Sequence, residues 1–108
     1  MQSEYTFFDS LSDEITDIPA DSIISRTIYT DSHVKAVLFG FAPGQELSEH
    51  TASTAAILYF ISGEAKLLLA SERKNAKSGT YIHMEANLPH SVIAETQTTM
   101  LLLLLRSG

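Results

Sequence analysis

Apolar and polar positions change over in short runs along most of this chain. Ser22 to Thr30 is rich in β-branched residues (Ile23, Ile24, Thr27, Ile28) and reads as a strand. Asp31-Ser32 makes a turn. Val34 to Ala42 is a second strand, with Val37, Phe39 and Phe41 on one face and Ala36, Leu38 and Gly40 on the other. Both faces are largely apolar, the pattern of a strand covered on both sides. Pro43-Gly44 then turns the chain. Ile57 to Ile61 is an apolar strand, Ser62-Gly63-Glu64 a tight turn, and Ala65 to Ala70 its hairpin partner. Ser71 to Ser78 is polar and carries Arg73, Lys74 and Lys77, so it reads as an exposed, solvated hairpin tip. Gly79 opens a strand through Met84, a turn follows over Glu85 to Pro89, and Ser91 to Glu95 and Thr98 to Leu105 are the last strands.

The period differs at the N-terminus. Tyr5 to Phe8 reads as a short edge strand or an apolar lead-in. Leu11, Ile15 and Ile18 are spaced by four and three, with Asp13 and Glu14 early in the segment and Pro19 after it. That spacing predicts a short helix capped by Asp9 or Ser10. One N-terminal helix followed by eight or more short strands predicts an all-β sandwich or barrel. The run Leu101 to Leu105 makes the last strand apolar on both faces, and an uncovered face of that kind invites aggregation. It is expected to be covered by a second subunit, in a homodimer.

With 108 residues, positions 1–108 are read as a single domain able to bury one core without covalent staples. Cysteine is absent, which excludes disulfides, thiolate metal sites and a cysteine nucleophile. No N-terminal stretch reads as a signal peptide, and the longest apolar block, Met100 to Leu105, is too short to span a bilayer. The expectation is a soluble cytoplasmic protein with no membrane partner. Thirteen acidic residues against seven basic ones argue against a nucleic-acid surface. Seven of the acids (Glu4, Asp9, Asp13, Glu14, Asp17, Asp21, Asp31) form a solvated flank before position 32.

Candidate chemistry centres on two histidines. His50 follows the Pro43-Gly44 turn and an acidic approach (Glu46, Glu49), and His90 follows the turn at Leu88-Pro89. The reading is that the fold brings both to the mouth of one small barrel. His33 lies beside a turn and is taken as exposed; His83 is open between core, pocket and solvent. Tyr59, Phe60 and Tyr81 alternate with aliphatics at strand spacing and are taken as core or pocket wall, with Tyr59 and Tyr81 as pocket candidates. No serine lies in a Gly-x-Ser-x-Gly elbow, and the five glycines form no phosphate loop.

These residues resemble the cupin family, small jelly-roll barrels built as a double-stranded β-helix. The first cupin motif reads Gly, five residues, His-x-His, three or four residues, Glu, six residues, Gly. Here Gly44 precedes His50 by that interval and Gly63 falls at the closing glycine, so motif 1 covers about 44–63. The second motif reads Gly, five residues, Pro-x-Gly, two residues, His, three residues, Asn. Gly79 and His90 match, with Glu85 at the proline and Asn87 at the glycine, so motif 2 covers about 79–94. The resemblance is nearest to single-domain conserved-barrel cupins in which His-Thr-Ala replaces His-x-His, and for those it implies no settled activity. In a metal-loaded cupin the His-x-His pair, the Glu and the second-motif His hold one divalent ion. Ala52 stands at the second histidine and Ala56 at the glutamate, and alanine donates no electron pair.

Two imidazoles remain, whereas a catalytic zinc usually has three protein ligands and non-haem iron two histidines and a carboxylate. A metal site (Zn, Ni, Mn or Fe) on His50 and His90 therefore needs a third donor, with Glu46, Glu49 and His83 as candidates according to strand register. Otherwise the pair is polar pocket lining that binds an anionic or hydroxylated small molecule or acts as acid and base. The sequence thus predicts a small-molecule-binding cupin barrel. Its alternatives are a metal-dependent enzyme (dioxygenase, isomerase or decarboxylase type) on a small polar substrate, and a structural dimer with a filled barrel.

Overall fold

A computed structural model describes residues 4–106. Nine strands run in chain order: β1 (Ile23–Thr30), β2 (Val34–Phe41), β3 (Glu46–His50), β4 (Ala56–Ser62), β5 (Ala65–Leu69), β6 (Glu72–Ala76), β7 (Tyr81–Met84), β8 (His90–Ala94) and β9 (Thr98–Leu105). They form a five-stranded sheet, ordered β1-β2-β9-β4-β7, and a four-stranded sheet, ordered β3-β8-β5-β6. Every pairing is antiparallel. This is the all-β barrel that the strand pattern predicts, in the jelly-roll form that the family resemblance implies.

The inner faces follow from the twofold alternation of side chains. Phe41, Ala56, Leu58, Phe60, Met84 and Met100 of the larger sheet pack against Ala65, Leu67, Ala76, Val92 and Ala94 of the smaller one, in one buried cluster. Removing that apolar area from water is the main force holding the two sheets together.

The outer face of the larger sheet is covered over part of its width by the N-terminal segment. Ile15 is buried there. Ile18 lies so close over Gly40 that a Cβ at that glycine would come within 2.7 Å of Ile18 Cδ1. Arg26 fastens the segment, donating to the Glu14 carbonyl at 3.0 Å and pairing with its carboxylate at 2.8 Å. Leu38, beneath this cover, is fully buried although it points away from the barrel interior.

Three local expectations differ from the structure. The predicted helix is only a 3-10 turn, Leu11–Glu14, and the Ser10 side chain does not cap it. Ile15 is already extended (φ −142°), because Ile15 and Ile18 are spread along a sheet surface rather than stacked on a helical stripe. A single turn also lacks the propagating hydrogen bonds that offset helix nucleation. Tyr5 to Phe8 forms no strand, which leaves the apolar lead-in of its two readings. The segment Ser71–Ser78, read as a hairpin tip, is mostly strand β6, with the turn at Ala70-Ser71 instead. Its charges are those of an edge strand, which resists further strand pairing by carrying them.

The β1–β2 turn is held by Asp31. Its carboxylate accepts from the Tyr29 hydroxyl (2.7 Å) and from the His33 and Val34 amides (2.7 and 2.9 Å). Those bonds, the tyrosine's first, lower its pKa to about 2. Among the described residues, no helix is long and apolar enough to cross a membrane.

Candidate functional site

His50 ends β3 and His90 begins β8, and the two are direct cross-strand partners. Leu47 is opposite Val92, so the step from there to the histidine pair is three residues on β3 and two on β8. The extra residue is a β-bulge at Ser48-Glu49. Val92 and His90 share the inner face of β8, and the bulge lets both Leu47 and His50 meet that face. Strict alternation would have turned His50 outward.

The imidazole ring centroids are 4.1 Å apart and tilted by 58°. Each ring is anchored in the same way: His50 Nδ1 lies 2.8 Å from the Ser48 carbonyl and His90 Nδ1 2.8 Å from the Leu88 carbonyl. A carbonyl only accepts, so in both rings Nδ1 carries the proton and donates. In the neutral ring the Nε2 lone pair is then free, the tautomer suited to accepting from a hydroxyl or binding a metal.

The two rings differ in burial. His50 is exposed, whereas His90 is 5% exposed. Burial pushes the His90 pKa below the ordinary histidine value, and the neighbouring His50 ring adds to this; the bond to Leu88 opposes it in part. His90 is therefore neutral at pH 7.

The turn that presents His90 is sewn to its surroundings. Asn87 adopts φ +68° and donates its amide to the Ala52 carbonyl at 2.7 Å. Asparagine tolerates this left-handed conformation better than most side chains, so it fills the place where the motif has glycine. The Ala70 amide reaches the Pro89 carbonyl at 2.9 Å. The loop after His50, the turn before His90 and the β5–β6 turn are thus joined at one end of the barrel.

Of the candidate residues, the structure brings together only His50 and His90. Tyr59 and Tyr81 are cross-strand partners on the outer face of the larger sheet, 40% and 61% exposed, and His83 lies on the same face opposite Ile57. Glu46 is opposite Ile93, facing outward from the smaller sheet into a groove with Lys66 and Arg73. Glu49 is exposed in the bulge. Two residues that the motifs did not single out sit at the histidine end. Leu69 is opposite His90, and half-buried Lys35 is opposite Leu104, on the inner face of β2. Among the described residues, no carboxylate pairs with Lys35. The signal for it was in the sequence: stepping back by two from Phe41, Phe39 and Val37 reaches Lys35 on the inward side.

A family described as cupin domain matches residues 37–106. The chain belongs to the cupin family. Solved structures agree on the fold of this cupin. A conserved protein of unknown function from Streptococcus pyogenes superposes with a TM-score of 0.85 at 26% identity, covering 98% of this chain and 92% of that one. A cupin superfamily protein from Desulfitobacterium hafniense gives 0.84 at 20% identity, covering 90% and 88%. An RmlC-like cupin from Shewanella frigidimarina gives 0.78 at 18%, covering 98% and 94%. No curated protein matches.

Cupins often bind a metal, and the side chains of this cupin do not fit a full ligand set. Ala56, at the glutamate position, is buried between Met84 and Leu104. Ala52 contributes its backbone carbonyl to Asn87. Among the described residues, no group of three or more His, Asp or Glu is placed to share an ion. His50 and His90 supply two nitrogens, one fewer donor than a catalytic zinc usually takes from its protein.

Proposed function

We propose that this cupin is a small-molecule-binding barrel that receives a small hydroxylated acid at its histidine-bearing end. The supporting observation is the anchored histidine pair. Each Nδ1–H is engaged by a backbone carbonyl, so two Nε2 lone pairs are left to accept hydrogen bonds from ligand hydroxyls. Lys35, on the inner face at the same end, adds the positive charge that suits an acid group. Few convergent polar groups in an apolar wall are what such sites generally present. Leu47, Leu69 and Leu88, packed against the core cluster, supply the wall here.

The test combines metal analysis with a ligand screen. Protein purified without chelators is assayed for transition metals, then screened against hydroxy acids by following the histidine ring resonances. The expected result is little metal, with hydroxy acids shifting the His50 and His90 resonances. His50→Ala should abolish those shifts and, because His50 is exposed, change stability by no more than about 0.5 kcal/mol. Near-stoichiometric metal that is lost in both His50→Ala and His90→Ala would replace this reading with the metal-dependent enzyme. A histidine pair unmoved by any ligand, in metal-free protein, would leave the filled structural barrel.

A further inference from the structure

The outer face of the four-stranded sheet carries a groove of about 440 Å³, and neither His50 nor His90 lines it. Small-molecule sites generally hold roughly 300–1,000 Å³. Strand register builds the groove in two rows. Ser91, Leu68 and Arg73 stand side by side on β8, β5 and β6. Glu46, Ile93, Lys66 and Asn75 do so on β3, β8, β5 and β6. Val92 and Leu67, next to them in the chain, are buried in the barrel, so alternation turns both rows outward. Half-buried Leu68 and exposed Ile93 form an apolar floor.

Most of the charge on this face is already matched. Lys66 pairs with Glu95 and Lys74 with Glu72, each at 3.8 Å. Among the described residues, Arg73 has no carboxylate partner, and Glu46 across the groove has no basic one. The groove therefore has a cationic end on β6 and an anionic end on β3, with the apolar floor between them. Ser91 adds an independent observation. It is only 8% exposed, yet its hydroxyl bonds to no group among the described residues. No fully covered side-chain polar atom among them lacks a partner, so this hydroxyl is reached from the groove. Buried polar groups are normally satisfied, and here a serine hydroxyl and a guanidinium share one groove with their donors unused.

We propose that this groove is a second binding site, which takes a small monocarboxylate with an apolar body. Arg73 receives the carboxylate with its forked guanidinium, the Ser91 hydroxyl donates to the same group, and Leu68 and Ile93 cover the body. Two strand spacings, about 10 Å, separate the backbones of Arg73 and Ser91, a gap that the long arginine side chain and one carboxylate fill. One uncompensated positive charge matches one carboxylate rather than a dianionic phosphoryl group. Glu46 sharpens the choice, because a second acid group reaching β3 would meet its negative charge. The groove lies on the opposite face of the sheet from the histidine pair and does not depend on the ligand reading there.

Titration of the full chain with hexanoate, followed through backbone amide resonances, tests the proposal. Hexanoate should shift Leu68, Ser91 and Ile93 saturably. Arg73→Gln, an exposed change that should keep the native spectrum, should weaken binding about tenfold or more. Ser91→Ala should weaken it by a smaller factor. Adipate has the same length with an acid at both ends; it should bind several-fold more weakly than hexanoate, and Glu46→Gln should remove that difference. His50→Ala should leave the hexanoate shifts unchanged, which separates this site from the barrel mouth. Shifts that do not saturate, that survive Arg73→Gln undiminished, or that vanish in His50→Ala overturn the site. Inorganic phosphate binding more tightly than hexanoate overturns the monocarboxylate assignment, and adipate binding as well as hexanoate overturns the part given to Glu46.

Discussion

The same strands build both ends of the barrel, with opposite results. At the end where β4 turns into β5, Ala65 pairs with Ala76 on one side and Ala94 on the other, and the three small side chains let the sheets close. Phe41, Phe60 and Met100 are fully buried in the larger sheet, and Gly63 turns the chain tightly against Gln97 and Thr98. At the other end the corresponding row is His50, His90 and Leu69. Polar rings stand where apolar volume would otherwise continue, and one of them is exposed. Close packing, which tolerates few voids, specifies the shape at the first end. The second end presents polar groups instead, and the proposed ligand would meet them there.

The contrast can be broken most strongly at the closed end. Phe60→Ala should cost about 3–5 kcal/mol in urea denaturation, since it removes a fully buried ring from a site with no room to collapse. That is a large share of the roughly 5–15 kcal/mol available to an ordinary domain. A loss below about 1 kcal/mol would mean that this end is not tightly packed.

A finer comparison uses two glycines. Gly63 (φ +91°) and Gly44 (φ +83°) are both left-handed, but an added Cβ at Gly63 would meet the Gln97 carbonyl oxygen and come within 2.7 Å of Thr98 Cα. At Gly44 it would meet nothing within 4 Å. Gly44→Ala should therefore cost only the conformational penalty, about 1–2 kcal/mol. Gly63→Ala should cost distinctly more, because backbone atoms must shift as well. Equal melting temperatures for the two variants would contradict the close approach at Gly63.

The smallest effect sharpens the histidine end. Because burial lowers the His90 pKa in the folded state, the unfolded chain binds the proton more readily. Stability should fall as pH drops below the ordinary histidine value of about 6.5, levelling off once the folded state is protonated too. The urea midpoint should be lower at pH 5.5 than at pH 7.5, and His90→Gln should reduce that difference. Asp31 does not interfere: its lowered pKa stabilises the fold above its ordinary value of 3.8, and that stability is lost only as pH falls from there through about 2. An unaltered pH difference in His90→Gln would show that the ring does not titrate as its burial requires.

Most strands were legible because their apolar residues recur with a period of two or fill both faces, as in Val34 to Phe41 and Thr98 to Leu105. The two that were missed, β3 and β6, are short and mostly polar outside Leu47 and Ala76, since both are edges of the smaller sheet. Leu11, Ile15 and Ile18 carried a helical spacing without a helix. Periodicity records which residues seek cover, and a sheet surface met by extended chain provides it as well as a helical stripe does.

The sequence by itself determined an all-β sandwich or barrel, through its apolar strands, because local spacing suffices for that. Its framed glycines and histidines carried the resemblance to cupins, against which two of the four usual metal-ligand positions are alanine. Only the tertiary structure decided that His50 faces His90, that Tyr59, Tyr81 and His83 lie on the opposite side of a sheet, and that Glu46 points away from the barrel. Those outcomes turn on one bulge residue and on strand register, where a shift of one position reverses every side chain. That shift is set by how whole sheets pack together, which no short stretch of the chain records.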